Sequence, residues 1–264
     1  MGLSMASDKF FRIVRIFILL AVLVGVAMGT LATKLRSTSW NESLWVIIYP
    51  LNGDGSETAA RYINSLERET FEPIEDYMKE EAKIYKVEQT RPVTVRIAPL
   101  VDELPPEPPR SPNIFSIMWY SLRLRFWAFM SDNYDGPAKD IKMFVLYYDP
   151  ERHEVLDDSM GLQKGMMSVA RAFANWKMEP QNNIVITHEL LHTVGATDKY
   201  EKETGQPIFP EGYADPDKTP LLPQEEAEIM AGRIPISETE AQMPKSLWYT
   251  VIGPETAREI NWIE

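Results

Sequence analysis

From Leu44 onward, short unbroken apolar runs alternate with longer stretches in which apolar residues recur every three or four positions. Leu44-Trp45-Val46-Ile47-Ile48-Tyr49-Pro50, Pro92 to Ile97, Ile141 to Tyr148 and Met166 to Ala174 are rich in β-branched, aromatic and small apolar residues, a pattern that predicts four buried strands. Asn52-Gly53-Asp54-Gly55 marks a turn after the first. Between Glu57 and about Tyr85, Ile63, Leu66, Phe71 and Ile74 fall at helical spacing, with Pro73 expected to kink or split the helix. Asn113 to Met130 reads as a second helix, crowded with Phe115, Trp119, Tyr120, Phe126, Trp127 and Phe129. Arg123 and Arg125 interrupt it too deeply for a membrane span, which leaves packing on the sheet or lying along a bilayer surface. Leu104 to Pro112 is too proline-dense for helix or central strand and is expected to be an extended connection. Strands and helices alternate, so the fold class is α/β or α+β with a mixed sheet.

The first forty residues change the picture. Ile16 to Thr33 is an uncharged apolar run of eighteen residues, preceded by Lys9, Arg12 and Arg15. It is expected to be a transmembrane helix with its N-terminus in the cytoplasm, or else a cleaved signal peptide. The expected organisation is therefore residues 1–40 as cytoplasmic stub and membrane anchor, then 41–264 as an extracytoplasmic domain of a single-pass membrane protein. Composition adds exclusions. There is no cysteine, which removes disulfides, cysteine-based zinc modules and thiol nucleophiles. The formal net charge is −12, and residues 41–264 carry 22 basic against 38 acidic residues, which argues against nucleic acid as a partner.

The chemistry concentrates in one stretch, His188-Glu189-Leu190-Leu191-His192-Thr193-Val194-Gly195-Ala196-Thr197-Asp198, in a chain with three histidines. Four helical residues advance about 400°, so both imidazoles leave one face a turn apart and can share one ion. Glu189 lies about 100° round, suited to a carboxylate that stays off the metal and handles the proton of an attacking water. Asn182 and Asn183 read as N-caps, Ile184 to Val194 as a buried helix, and Gly195 as its stop. A sharp turn there brings Asp198 back beneath the histidines. A rival third ligand is Glu211, in Glu211-Gly212-Tyr213-Ala214-Asp215, but Pro210, Gly212 and Pro216 make a helix there unfavourable. His153 is the remaining histidine.

From His188 to Asp198 the chain resembles the metzincin clan of zinc metallopeptidases, in the variant where aspartate replaces the third histidine, as in snapalysin-type enzymes. The resemblance implies a mixed sheet, an active-site helix, a methionine turn and a C-terminal helix. Glu228-Ile229-Met230-Ala231-Gly232 is similar to such a turn. It further implies one catalytic Zn2+ held by His188, His192 and Asp198, Glu189 as general base, and Gly195 and Met230 as structural residues of the site. Met166 to Ala174 would be the antiparallel edge strand onto which a peptide adds. Where many of the clan carry a tyrosine after the turn, this chain has Gly232, so Tyr200, Tyr213 and Tyr249 stay open for transition-state support. The expected function is a membrane-tethered zinc endopeptidase acting on proteins or peptides outside the cytoplasm. A catalytically silent zinc- or peptide-binding domain and a zinc amidase on a non-peptide bond are the alternatives.

Overall fold

The computed structural model describes residues 14–17, 20, 39–109, 113–136, 139–156, 160–162 and 166–264. The chain divides into two units, Met1–Ser39 and Trp40–Glu264. In the first, residues 14–17 and 20 are helical. Among the described residues no helix is long and apolar enough to cross a membrane, which overturns the expectation of a single-pass membrane protein. The apolar run that motivated it lies outside the described residues except at Ile16, Phe17 and Leu20.

The second unit is built on a mixed five-stranded sheet, an α/β arrangement. Its strands are β1 (Leu44–Asn52), β2 (Val93–Ile97), β3 (Ile141–Tyr148), β4 (Met160–Leu162) and β5 (Met167–Phe173), in the spatial order β2-β1-β3-β5-β4. The first four positions of that order pair in parallel, and β4 alone runs antiparallel, against β5. Parallel strands covered on both faces need apolar side chains on both, which explains the unbroken runs in β1 and β3.

Successive side chains sort the core into two layers. Val46, Ile48, Met143, Val145, Ala170 and Ala172 face one cluster, whereas Ile47, Tyr49, Leu51, Phe144, Leu146 and Val169 face the other. Helices α1 (Glu57–Asn64), α2 (Glu72–Ile84), α4 (Glu179–Val194) and α5 (Pro254–Glu259) contribute to the first layer; α3 (Ile114–Met130) covers the second. The helical stretch does divide, but at residues 65–71 rather than at Pro73, which stands in the first turn of α2, where its missing N–H costs nothing.

The segment read as an edge strand is interior. β5 is paired on both sides, and the short β4 takes the edge instead. The physical reason is that β4 pairs with the edge that β5 would otherwise leave open. Ala170 and Ala172, with Ser168, keep one face of β5 low, so helix α4 can lie against it.

Candidate metal centre

Helix α4 is buried on almost every side, with Ile184, Ile186, Leu190, Leu191 and Val194 in the core; Thr187 and Thr193 turn their hydroxyls back onto the carbonyls of Asn183 and Leu190. Asn182 and Asn183 are not N-caps, because the helix begins at Glu179, with Pro180 in its first turn. They serve as ties. Asn182 accepts from the N–H of Phe173 at 3.0 Å and donates to its carbonyl at 2.9 Å, while Asn183 donates to the carbonyl of Thr70 at 2.9 Å. The helix is thereby fixed in rotation against β5, which decides where its histidines point.

Gly195 ends α4 with φ of 122°, a conformation that disfavours side chains, and its N–H and that of Ala196 return to the last turn. The reversal brings Asp198 under the histidines. Asp198 Oδ1 lies 2.9 Å from His192 Nε2 and 3.3 Å from His188 Nε2, and the two Nε2 atoms are 3.0 Å apart. The other ring nitrogens are engaged by backbone. His188 Nδ1 is 3.0 Å from the carbonyl of Ile229, and His192 Nδ1 is 2.8 Å from that of Ala196. A carbonyl only accepts, so each Nδ1 carries the hydrogen and each Nε2 of a neutral ring presents a lone pair. Asp198 Oδ1 is correspondingly a buried oxygen with no hydrogen-bond donor.

Three donor atoms this close could hold a cation between them, whether a proton on one ring or a metal ion. Tetrahedral coordination at about 2.0–2.1 Å sets neighbouring donors about 3.3–3.4 Å apart. The observed separations fall short of that by no more than a few tenths of an ångström, so the set fits a small divalent ion. The electrostatics agree. Burial disfavours a charged His188, but the carboxylates of Asp198 and Glu189 outweigh it and raise its pKa. Burial would likewise raise Asp198, yet hydrogen bonds and charge from the two imidazoles, when these are protonated at Nε2, hold it far below the ordinary carboxylate range.

Glu189 is buried beside them, its pKa raised by burial against the pull of His188, His192 and Ser168. Donor atoms of His188, Glu189 and His192 all lie within 4.8 Å of one another, so these three could also hold a metal ion. Asp198 is the nearer third donor. Glu189 instead accepts a hydrogen bond from Ser168 Oγ at 3.2 Å, across from β5. Ser168 was missed in the sequence; its signal was a small polar residue within an apolar strand.

Both neighbours of Asp198 are fastened to α5. Glu259 accepts from the Thr197 N–H at 2.9 Å, from the Thr197 hydroxyl at 2.5 Å and from Lys199 Nζ at 2.6 Å. Burial would raise the Glu259 pKa, but Lys199 and Thr197 hold it below the ordinary value. Nothing in the spacing of Thr197, Lys199 and Glu259 announced this clamp, since the partners are some sixty residues apart.

Glu228 to Gly232 forms a tight turn, with the N–H groups of Ala231 and Gly232 both returning to the Glu228 carbonyl at 3.0 Å. Met230 is fully buried, and its carbonyl accepts from the Lys199 N–H at 3.0 Å. The turn therefore reaches the site twice, through Ile229 at His188 and through Met230 at the Asp198 loop. The Glu228 side chain holds it, accepting from Met230 N and Ala231 N on one oxygen and from Gly253 N and Thr256 Oγ1 on the other. Tyr200 is the one candidate tyrosine with a ring contact to the site, 6.4 Å from His188 between centroids. Tyr213 packs on Phe209, and Tyr249 is half exposed. His153 pairs with Asp54 and Tyr148, and Glu211 is exposed in an irregular turn, so neither joins the histidines. A cavity of about 390 Å³ lined by Pro105, Tyr120, Tyr148 and Arg171 lies against the α3 face of the sheet, the opposite side from α4.

No protein-family model matches the sequence, and no curated protein is significantly similar to it.

Proposed function

We propose that the chain is a zinc-dependent endopeptidase that hydrolyses peptide bonds of proteins or peptides, of the metzincin type with an aspartate as third ligand. The observation that carries the reading is the convergence of His188 Nε2, His192 Nε2 and Asp198 Oδ1 with Glu189 alongside. Two imidazoles and one carboxylate suit zinc and leave a fourth position open, the mark of catalytic rather than structural sites. The tight turn at Met230 and helix α5 behind it support the same resemblance.

When bound, such an ion acidifies water and polarises a carbonyl oxygen. The chain's own residues do the rest. The backbone carbonyls of Ile229 and Ala196 fix both histidine tautomers and turn the rings toward the donor cluster. Glu189, steadied by Ser168, takes the proton of the attacking water and delivers it to the leaving nitrogen. Glu259 keeps Asp198 in place from both sides.

The test is hydrolysis of an unfolded protein by wild type and Glu189→Ala, with and without chelator. Cleavage that is chelator-sensitive and falls at least about a hundredfold in the variant is expected. Stoichiometric metal with no cleavage of any substrate would overturn the enzyme reading in favour of a silent binding domain.

A further inference from the structure

Helix α5 supports the metal centre at two points, although it has only six residues. Thr256 Oγ1 donates to Glu228, which holds the turn that meets His188 at Ile229, and Glu259 receives Thr197 and Lys199 on either side of Asp198. A helix this short does not persist by itself, so its place is set by what grips it. At its C-terminal end, Asn261 is left-handed at φ of 61°. The N–H groups of Asn261 and Trp262 return to the carbonyls of Arg258 and Ala257 and close the last turn. That closure leaves the Ile260 carbonyl without a partner inside the helix. Trp40 supplies one: its indole Nε1 donates to that oxygen at 2.6 Å, in a buried bond between residues 220 positions apart.

The rest of Trp40 is committed to the same contact. It is buried, its ring meets Trp262 edge-on at 5.6 Å between centroids, and Trp262 meets Tyr85 at 6.0 Å. Trp40 also stands at φ of 50°, a conformation that is costly for a bulky side chain and persists only where the surroundings impose it. Glycine adopts that φ freely but brings neither ring nor donor. We propose that Trp40 is a positioning residue for the metal centre: by fixing the C-terminal end of α5 it fixes Glu259 and, through Glu259, the loop that carries Asp198. The inference rests on the metal-binding reading of His188, His192 and Asp198. The transmission is short. Ile260 follows Glu259 directly, and a Cβ on Gly195 would stand 3.0 Å from the Glu259 carbonyl oxygen, so the end of α5 abuts the end of α4 with little slack.

The test is the zinc affinity of the full chain, read by competition with a chromogenic chelator at a temperature where circular dichroism shows every variant folded. It compares wild type, Trp40→Phe, Glu259→Gln, Trp40→Phe/Glu259→Gln and Leu124→Ala. Trp40→Phe keeps an aromatic ring and removes the donor. Leu124→Ala truncates the other core layer, under α3, and controls for lost stability alone. Trp40→Phe should bind zinc about tenfold more weakly, whereas Leu124→Ala should lower the thermal midpoint and leave zinc affinity unchanged. Because both residues act through one loop, Trp40→Phe should add less than about twofold to the loss caused by Glu259→Gln. A Trp40→Phe chain that binds zinc as tightly as wild type would overturn the proposal. So would an equal loss in Leu124→Ala, or full additivity in the double variant. A wild-type chain that takes up no zinc at all would end the metal-binding reading and this inference together.

Discussion

Replacing Glu259 by glutamine removes one charge from a clamp that the structure shows to be almost dry. The Lys199 side chain is 7 % exposed and that of Glu259 is 20 % exposed, with Nζ and Oε1 2.6 Å apart. Removing one partner of a buried ion pair costs about 3–5 kcal/mol, because the remaining charge is left uncompensated. Two features lower that here: glutamine keeps an acceptor oxygen for Thr197, and Lys199 Nζ still donates to Thr197 Oγ1 at 2.8 Å. Glu259→Gln should therefore destabilise by about 2–3 kcal/mol in urea unfolding. The double variant Lys199→Met/Glu259→Gln removes the stranded charge and should regain at least half of the loss. Because Thr197 and Lys199 flank Asp198, Glu259→Gln should also weaken metal affinity by about 10–100-fold, whereas a merely structural clamp would leave affinity unchanged. A single variant within about 0.5 kcal/mol of wild type, or a double variant no better than the single, would refute the clamp.

Glu81 accepts from Ile252 N at 2.7 Å in the core, and burial pushes its pKa up to about 7, with Glu226 and Glu228 adding to the shift. Folding thus favours the protonated acid: this contribution is full below about pH 4.5 and is lost as pH rises through about 7. Glu81→Gln should be more stable than wild type above pH 7, by up to about 3 kcal/mol, with the gap closing toward pH 4.5. Parallel stability-versus-pH curves would contradict this. Gly195→Ala forces a side chain onto φ of 122° and sets its Cβ 3.0 Å from the Glu259 carbonyl oxygen. It should cost about 1–3 kcal/mol and lower metal affinity, read by thermal unfolding and metal titration; a neutral substitution would mean that the turn after α4 can relax.

The sheet was legible where burial on both faces left unbroken apolar runs. Ile141–Tyr148 was bounded from sequence at the same residues that pair in β3. The place of a strand within the sheet was not, because β5 owes its interior position to a short antiparallel neighbour at Met160–Leu162 with little apolar signature. Helix α3 was recognisable as a helix, but which of its faces is covered was not, since its apolar residues are spread round most of its circumference. In the site, the residues whose geometry follows from helical spacing and a glycine stop were readable: His188, Glu189, His192 and Gly195. Supporting residues reached across long chain separations, such as Glu259, Ile229 and Ser168, leave no local pattern. Asn182 and Asn183 misled because cap propensity is local, whereas their carboxamides are used to bind β5 and Thr70.

Metal content measured on the purified full chain, beside His192→Ala and Asp198→Ala, bears most directly on the central claim. One tightly held zinc per wild-type chain, lost from His192→Ala and held much more weakly by Asp198→Ala, is predicted. A wild-type chain that takes up no stoichiometric divalent metal under native conditions, or an Asp198→Ala chain that binds it as tightly as wild type, would contradict it.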